Sequence, residues 1–185
     1  MRSFIAVNFS QEVKKKLIEI QNELRSIIEG SLKWVEEENL HLTLKFMGEL
    51  QENKIEHMKS LLSPVFKNYR QFRIEFKSIG AFPTINKPRV LWIGIEEGKN
   101  ELETMVEEIE NILANKLDIA KEEREFHPHI TLARVKDKCR TNFEKIAKYQ
   151  NKVFAEDIVT KIDLMESKLT PSGPIYSIIY SWRLE

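Results

Sequence analysis

The order of apolar and polar positions reads as strands and helices in turn along the whole chain. Residues 3–9 are an apolar-rich strand, and Ser10 stands where a helix cap belongs. From about residue 11 to 29, Val13, Leu17, Ile20, Leu24, Ile27 and Ile28 recur at helical spacing, with Gly30 placed to end the helix. Residues 40–46 then alternate without a fault. Leu40, Leu42, Leu44 and Phe46 make one face, and His41, Thr43 and Lys45 make the other. A turn through Gly48 leads to a second helix from about Asn53, carrying Ile55, Met58, Leu61, Leu62 and Val65, which Pro64 is expected to kink or shorten.

Strands are predicted at 72–79 and 89–95, with residues 82–88 between them as a loop. A helix over about 100–115 offers Leu102, Met105, Val106, Ile109, Ile112 and Leu113 as its buried stripe, and a charged linker at 121–125 follows. The remainder reads as a strand from His129, a short helix near 142–149, one strand around 158–169, a turn at 171–174 and a closing strand at 175–184. Helices laid on antiparallel strands make an α+β architecture.

Composition narrows this picture. With 185 residues and 42% hydrophobic content, the chain can bury a real core. Residues 1–185 are therefore expected to form a single bilobal domain. The 29 basic and 29 acidic residues cancel, so no global field gathers a long polyanion and any nucleic-acid contact needs a local patch. One cysteine, Cys139, leaves no intrachain disulfide and no Cys-rich zinc site, in keeping with a reducing cytoplasm. The opening apolar run is too short for a signal peptide, and no stretch approaches spanning length, so no membrane association is expected.

Candidate chemistry centres on a doubled pattern. His41-Leu42-Thr43-Leu44 recurs as His129-Ile130-Thr131-Leu132, nearly half a chain away. In a strand, residues two apart share a side, so each copy presents an imidazole and a hydroxyl together and turns two aliphatics to the core. The spacing predicts two similar halves, each with an antiparallel sheet and helices, delivering one pair apiece to a cleft between them. Two facing histidines suit general acid/base chemistry on a phosphoester, because imidazole titrates near neutrality without perturbation. Lys45 shares the strand face of His41 and Thr43 and would add a positive charge. Arg134 has the wrong parity for the face of His129 and reaches it only through a bulge or a strand end. His57 is placed on a helix, facing water. His127 and His129 flank Pro128 without further ligands at metal-binding spacing, so neither a metal nor another cofactor is expected.

Around these motifs, His41-Leu-Thr-Leu-Lys-Phe-Met-Gly48 and His127-Pro-His-Ile-Thr-Leu-Ala-Arg134 resemble the paired motifs of the two-histidine phosphoesterase superfamily. Within it the chain is most similar to the RNA 2′,3′-cyclic phosphodiesterases, historically called 2′-5′ RNA ligases. The segments Arg2-Ser-Phe-Ile-Ala-Val, Arg89-Val-Leu-Trp-Ile-Gly and Leu169-Thr-Pro-Ser-Gly-Pro-Ile-Tyr176 extend the resemblance over the whole chain. Met47 departs from the smaller aliphatic residue usual there. The resemblance implies a bilobal fold with pseudo-twofold symmetry and metal-independent hydrolysis of a 2′,3′-cyclic phosphate, on RNA ends or nucleotides, to a 2′-phosphomonoester. It also implies His41 as proton donor and His129 as acceptor; the Thr43 and Thr131 hydroxyls would then donate to the non-bridging oxygens, with Lys45, and Arg134 if a bulge turns it, as phosphate contacts on the strand-face reading. A monomer is expected. Two other functions remain open at this point: 2′-5′ ligation by the reverse reaction, and a nucleotide- or RNA-binding module whose histidines only hold phosphate.

Overall fold

The computed structural model describes residues 1–141 and 143–185. Among these, the elements follow in the order β1 (Arg2–Val7), α1 (Gln11–Arg25), β2 (Ile28–Trp34), β3 (Leu42–Glu49), α2 (Glu52–Lys67), β4 (Phe72–Thr84), β5 (Lys87–Ile95), α3 (Lys99–Leu117), β6 (His129–Thr141), α4 (Phe143–Ala147), β7 (Val153–Val159), β8 (Lys161–Thr170) and β9 (Gly173–Arg183). The strands are antiparallel and run β7-β4-β5-β6-β3-β1-β8-β9 across the sheet, with β2 also paired to β6. At the centre, β3 and β6 share one residue pair, Leu42 with Ile130. The nine-stranded sheet is therefore two lobes meeting at a seam, four strands on the β3 side and four on the β6 side with β2 added as a fifth.

The lobes are not the two halves of the chain. One is built from β3, β1, β8 and β9, and so joins the first strands to the last; the other takes β4 to β7 from the middle. Each seam strand closes a similar unit, with α1 between β1 and β3, and α3 between β5 and β6. Each helix then packs on the opposite lobe: α1 against β7 and β2, α3 against β3 and α2. The apolar stripe of α1, Val13, Leu17, Ile20 and Leu24, and that of α3, Leu102, Met105, Val106, Ile109 and Leu113, join one cluster that also holds Phe66, Phe76, Ile130 and Leu164. The main core thus runs beneath both lobes, with a smaller cluster of Phe4, Ala6 and Met165 apart from it.

Four elements differ from their prediction. The first helix starts as expected, with the Ser10 hydroxyl accepting from the Val13 N–H, but it stops at Arg25, and Ile28–Trp34 pairs with β6 as an added strand. Gly30 lies inside that strand, at φ +139°, where a Cβ would stand 2.2 Å from the Lys138 carbonyl oxygen. It serves a close backbone approach, not a helix end. Helix α2 continues through Pro64 to Lys67. Pro64 and Ser60 are both exposed, so the Ser60 carbonyl deprived of its helical donor can turn to water. Residues 82–88 are not a loop, because β4 and β5 stay paired out to Thr84 and Lys87, leaving Ile85 and Asn86 as the turn. The single strand expected over 158–169 is two, β7 on β4 and β8 on β1. Its apolar pattern is continuous, but the chain changes partner and lobe at Thr160.

Candidate active site

The seam pair Leu42–Ile130 is the central aliphatic of both motifs. Antiparallel register continued from it sets His41 across from Thr131 and His129 across from Thr43, the arrangement a local twofold axis demands. Each seam strand then carries a bulge at the same motif position. Lys45 pairs with Ile5 and Thr43 with Ala6, so Leu44 is the extra residue. Ala133 pairs with Leu91 and Thr131 with Trp92, so Leu132 is the extra residue. A bulge reverses the parity beyond it.

That reversal decides two expectations in opposite directions. Arg134, whose parity looked wrong, is turned to the histidine face: it lines the same cavity as His129 and Thr131, and its charge acts on both His41 and His129. Lys45 borders that cavity too, as do Phe46 and Glu110, but its ammonium is directed to α3 and the chain that follows it. The Lys45 side chain is 4% exposed, and its ammonium donates to Glu110 on α3 at 2.9 Å and to the Ala120 carbonyl at 2.7 Å. The face shared by His41, Thr43 and Lys45 in an unbroken strand does not exist in the folded chain. At the other bulge the Leu132 carbonyl accepts from the Val35 N–H and from the buried Gln21 side chain of α1, so the irregularity is held from the core side.

The imidazoles are held alike. His41 Nδ1 donates to the Asn39 carbonyl at 2.7 Å, and His129 Nδ1 donates to the His127 carbonyl at 2.6 Å, each acceptor two residues upstream. A carbonyl only accepts, so Nδ1 carries the proton and Nε2 is the nitrogen left to work. The Thr43 hydroxyl lies 2.9 Å from His41 Nε2. Aromatic rings wall both sites: Phe4 and Tyr176 stand 5.0 and 5.1 Å from His41, Phe82 and Trp92 stand 5.0 and 6.3 Å from His129. Trp92 lies over Gly80, where a Cβ would meet the indole at 2.2 Å. These four rings and the two carbonyls were not among the residues singled out from sequence. The rings Phe4, Trp92 and Tyr176 do sit in the three segments that extended the family resemblance, and alternation from Phe4 and Trp92 was the available signal.

Burial by these rings disfavours the imidazolium. It pushes His41 down to about 4, against the hydrogen bond to Asn39, with Lys14, Arg134 and His129 adding smaller repulsions. His129 is lowered as well, again chiefly by burial. Thr43, Thr131, His129 and Arg134 line a cavity of about 1220 Å³, while His41 lines a second one of about 630 Å³ with Lys14 and Tyr176. His57 is exposed on α2, as predicted. Among the described residues, no three His, Cys, Asp or Glu side chains converge as a donor set for a metal. No helix among them is long and apolar enough to cross a membrane.

Comparison with known proteins gives a consistent result. A family model described as the AKAP7 2′5′ RNA ligase-like domain matches residues 3–184. The RNA 2′,3′-cyclic phosphodiesterase of Aquifex aeolicus is 37% identical over 185 residues, covering 100% of this chain and 97% of that protein. Its namesake from Methanocaldococcus jannaschii is 38% identical, covering 98% and 100%. A crystal structure from Thermus thermophilus superposes with a TM-score of 0.84 at 29% identity, covering 100% and 98%. The fold is also that of E. coli LigT complexed with 3′-AMP, with a TM-score of 0.80 at 22% identity, covering 99% and 97%.

Proposed function

From the premise that this chain belongs to the 2′5′ RNA ligase-like family, we propose that it is an RNA 2′,3′-cyclic phosphodiesterase, a hydrolase that opens the cyclic phosphate of RNA ends or nucleotides to a 2′-phosphomonoester. The observation that carries this reading is the pair of imidazoles on facing seam strands, each fixed through Nδ1 so that Nε2 is the nitrogen left for proton transfer. In-line opening of the ring needs a base for the incoming water and an acid for the departing ribose 3′ oxygen, on opposite sides of phosphorus. We assign His129 Nε2 as the acceptor of the water proton and His41 Nε2–H as the donor to the 3′ oxygen. The water oxygen bonds to phosphorus, the bond from phosphorus to the 3′ oxygen breaks, and the 2′ bond remains. The Thr43 and Thr131 hydroxyls donate to the non-bridging oxygens, and Arg134 balances the charge that grows there. Lys45, held by Glu110, has no part in phosphate binding in this scheme. One chain supplies both motifs, which supports action as a monomer and as one bilobal unit, and a cytoplasmic site suits an RNA substrate and a lone thiol.

Incubated with a nucleoside 2′,3′-cyclic phosphate in the presence of EDTA, the protein yields the nucleoside 2′-phosphate at an undiminished rate. A 3′-phosphate product, no product, or activity that returns only with added metal would overturn the reading.

The pH dependence follows from burial. The kcat/KM profile reports the free enzyme. With both imidazoles below their ordinary value of about 6.5 there, the acid loses its proton early and the bell lies on the acid side of neutrality. Bound phosphate is an anion and favours the imidazolium, so the kcat profile moves to higher pH than that of kcat/KM. Steady-state rates across pH check this; a kcat/KM optimum above neutrality that coincides with that of kcat contradicts it.

A further inference from the structure

The second cavity, about 630 Å³, is not used by the ring-opening scheme. The larger one, about 1220 Å³, already exceeds the roughly 300–1,000 Å³ that encloses a whole small ligand, and it holds the threonines, His129 and Arg134 that take the phosphate. His41 stands between the two. Its ring lines the second cavity, while the Thr43 hydroxyl that meets its Nε2 at 2.9 Å lines the first. With His129 on the water side of phosphorus, the ribose whose 3′ oxygen departs lies at His41, so the chain that this ribose carries is delivered toward the second cavity.

The wall there is part apolar and part polar. Ile158 of β7 and Ile178 of β9, one from each lobe, line it while 51% and 50% exposed, together with buried Phe9 and Met165. Ile178 lies opposite Met165 in the β8–β9 pairing, and so on the same face of the sheet. Two polar residues of the wall share one anchor. Asp163, 0% exposed, accepts from the Asn8 amide at 2.7 Å and stands 3.3 Å from the Lys161 ammonium, so this side is set before any ligand arrives. Lys14 is the wall cation whose charge is felt at His41. Glu38 and Asp157 also line the cavity, and two carboxylates accept from ribose hydroxyls and base amino groups but do not gather phosphates. A nucleoside has the size and the polarity this wall calls for.

We propose that this second cavity receives the penultimate nucleoside of an RNA end, with Lys14 beside the phosphodiester that joins it to the terminal nucleotide. The inference rests on the reading that the cleft takes a nucleotide, and it makes an RNA end, not a mononucleotide, the preferred substrate. Ile158 and Ile178 bury their exposed surface against the incoming base, which neither the reaction nor the fold otherwise covers.

Binding of reaction products tests this without any turnover. Calorimetry compares adenosine 2′-monophosphate with the diadenosine dinucleotide that ends in the same 2′-phosphate, and with that dinucleotide carrying hydrogen in place of its first base. The wild-type protein prefers the full dinucleotide to the mononucleotide by roughly 5- to 150-fold, the equivalent of about 1–3 kcal/mol for one bound base at 1.4 kcal/mol per decade. Removing the first base loses most of that preference. In the double variant Ile158→Ala, Ile178→Ala the ratio falls toward one, and both positions are exposed enough for the fold to survive. A wild-type ratio of one, a ratio unchanged in the double variant, or a dinucleotide that keeps its full advantage without the first base overturns this inference alone. Failure of all three ligands to bind overturns the nucleotide reading and this inference with it.

Discussion

Alanine in place of His41 or of His129 lowers kcat/KM for a nucleoside 2′,3′-cyclic phosphate by about 10²–10⁴-fold, the range a positioned proton donor or acceptor contributes. Both side chains project from seam strands whose pairing is made by backbone and by Leu42 and Ile130, so the folded state survives either change. The double variant is scarcely worse than the poorer single one, because a water proton accepted without a proton delivered to the leaving oxygen completes nothing. Steady-state rates, with circular dichroism to confirm folding, make the measurement. Near-normal turnover by either single variant would remove the acid/base pair from the mechanism.

Lys45→Met destabilises the fold by about 3–5 kcal/mol, the usual consequence of stripping one partner from a buried ion pair. Glu110, 13% exposed, is left without its cation, and the Ala120 carbonyl loses its donor. Adding Glu110→Leu recovers most of the loss, because an apolar pair of similar volume needs no compensating charge. Urea midpoints of the single and double variants test this. If Lys45 served the phosphate instead, Lys45→Met would raise KM in a protein of unchanged stability, and Glu110→Leu would rescue nothing.

The contrast between Lys45 and Arg134 shows how far the sequence was legible. Both motif histidines and threonines were visible because their spacing is short and their context repeats. Face assignments held as far as the fourth motif residue and failed beyond it, since the bulge at Leu44 depends on pairing with Ile5 and Ala6, far upstream on β1. Nothing local marks it. The same holds for Ile28–Trp34, which satisfies helical spacing as well as strand character until the outer edge of β6 supplies its hydrogen bonds. The shared interior was readable from apolar periodicity, but the lobe to which each helix belongs was not, because α1 and α3 cross to the far side. The aromatic walls were present in sequence as isolated rings on four strands, and only the fold gathers them around two imidazoles.

The interleaving of the lobes also orders the birth of the protein. As a nascent chain emerges from its amino end, β1 and β3 appear first, yet β1 lacks its second neighbour until β8 is made at residues 161–170. The central stretch, β4 to β7, can complete its four strands earlier, because all of them are then in hand. The first histidine strand therefore waits, with one lobe unfinished and apolar faces uncovered, while the second is already seated. Pairings that span most of the sequence are slow to close. During that interval the early strands are the part of the molecule most open to wrong partners, and release of the carboxyl-terminal hairpin ends it.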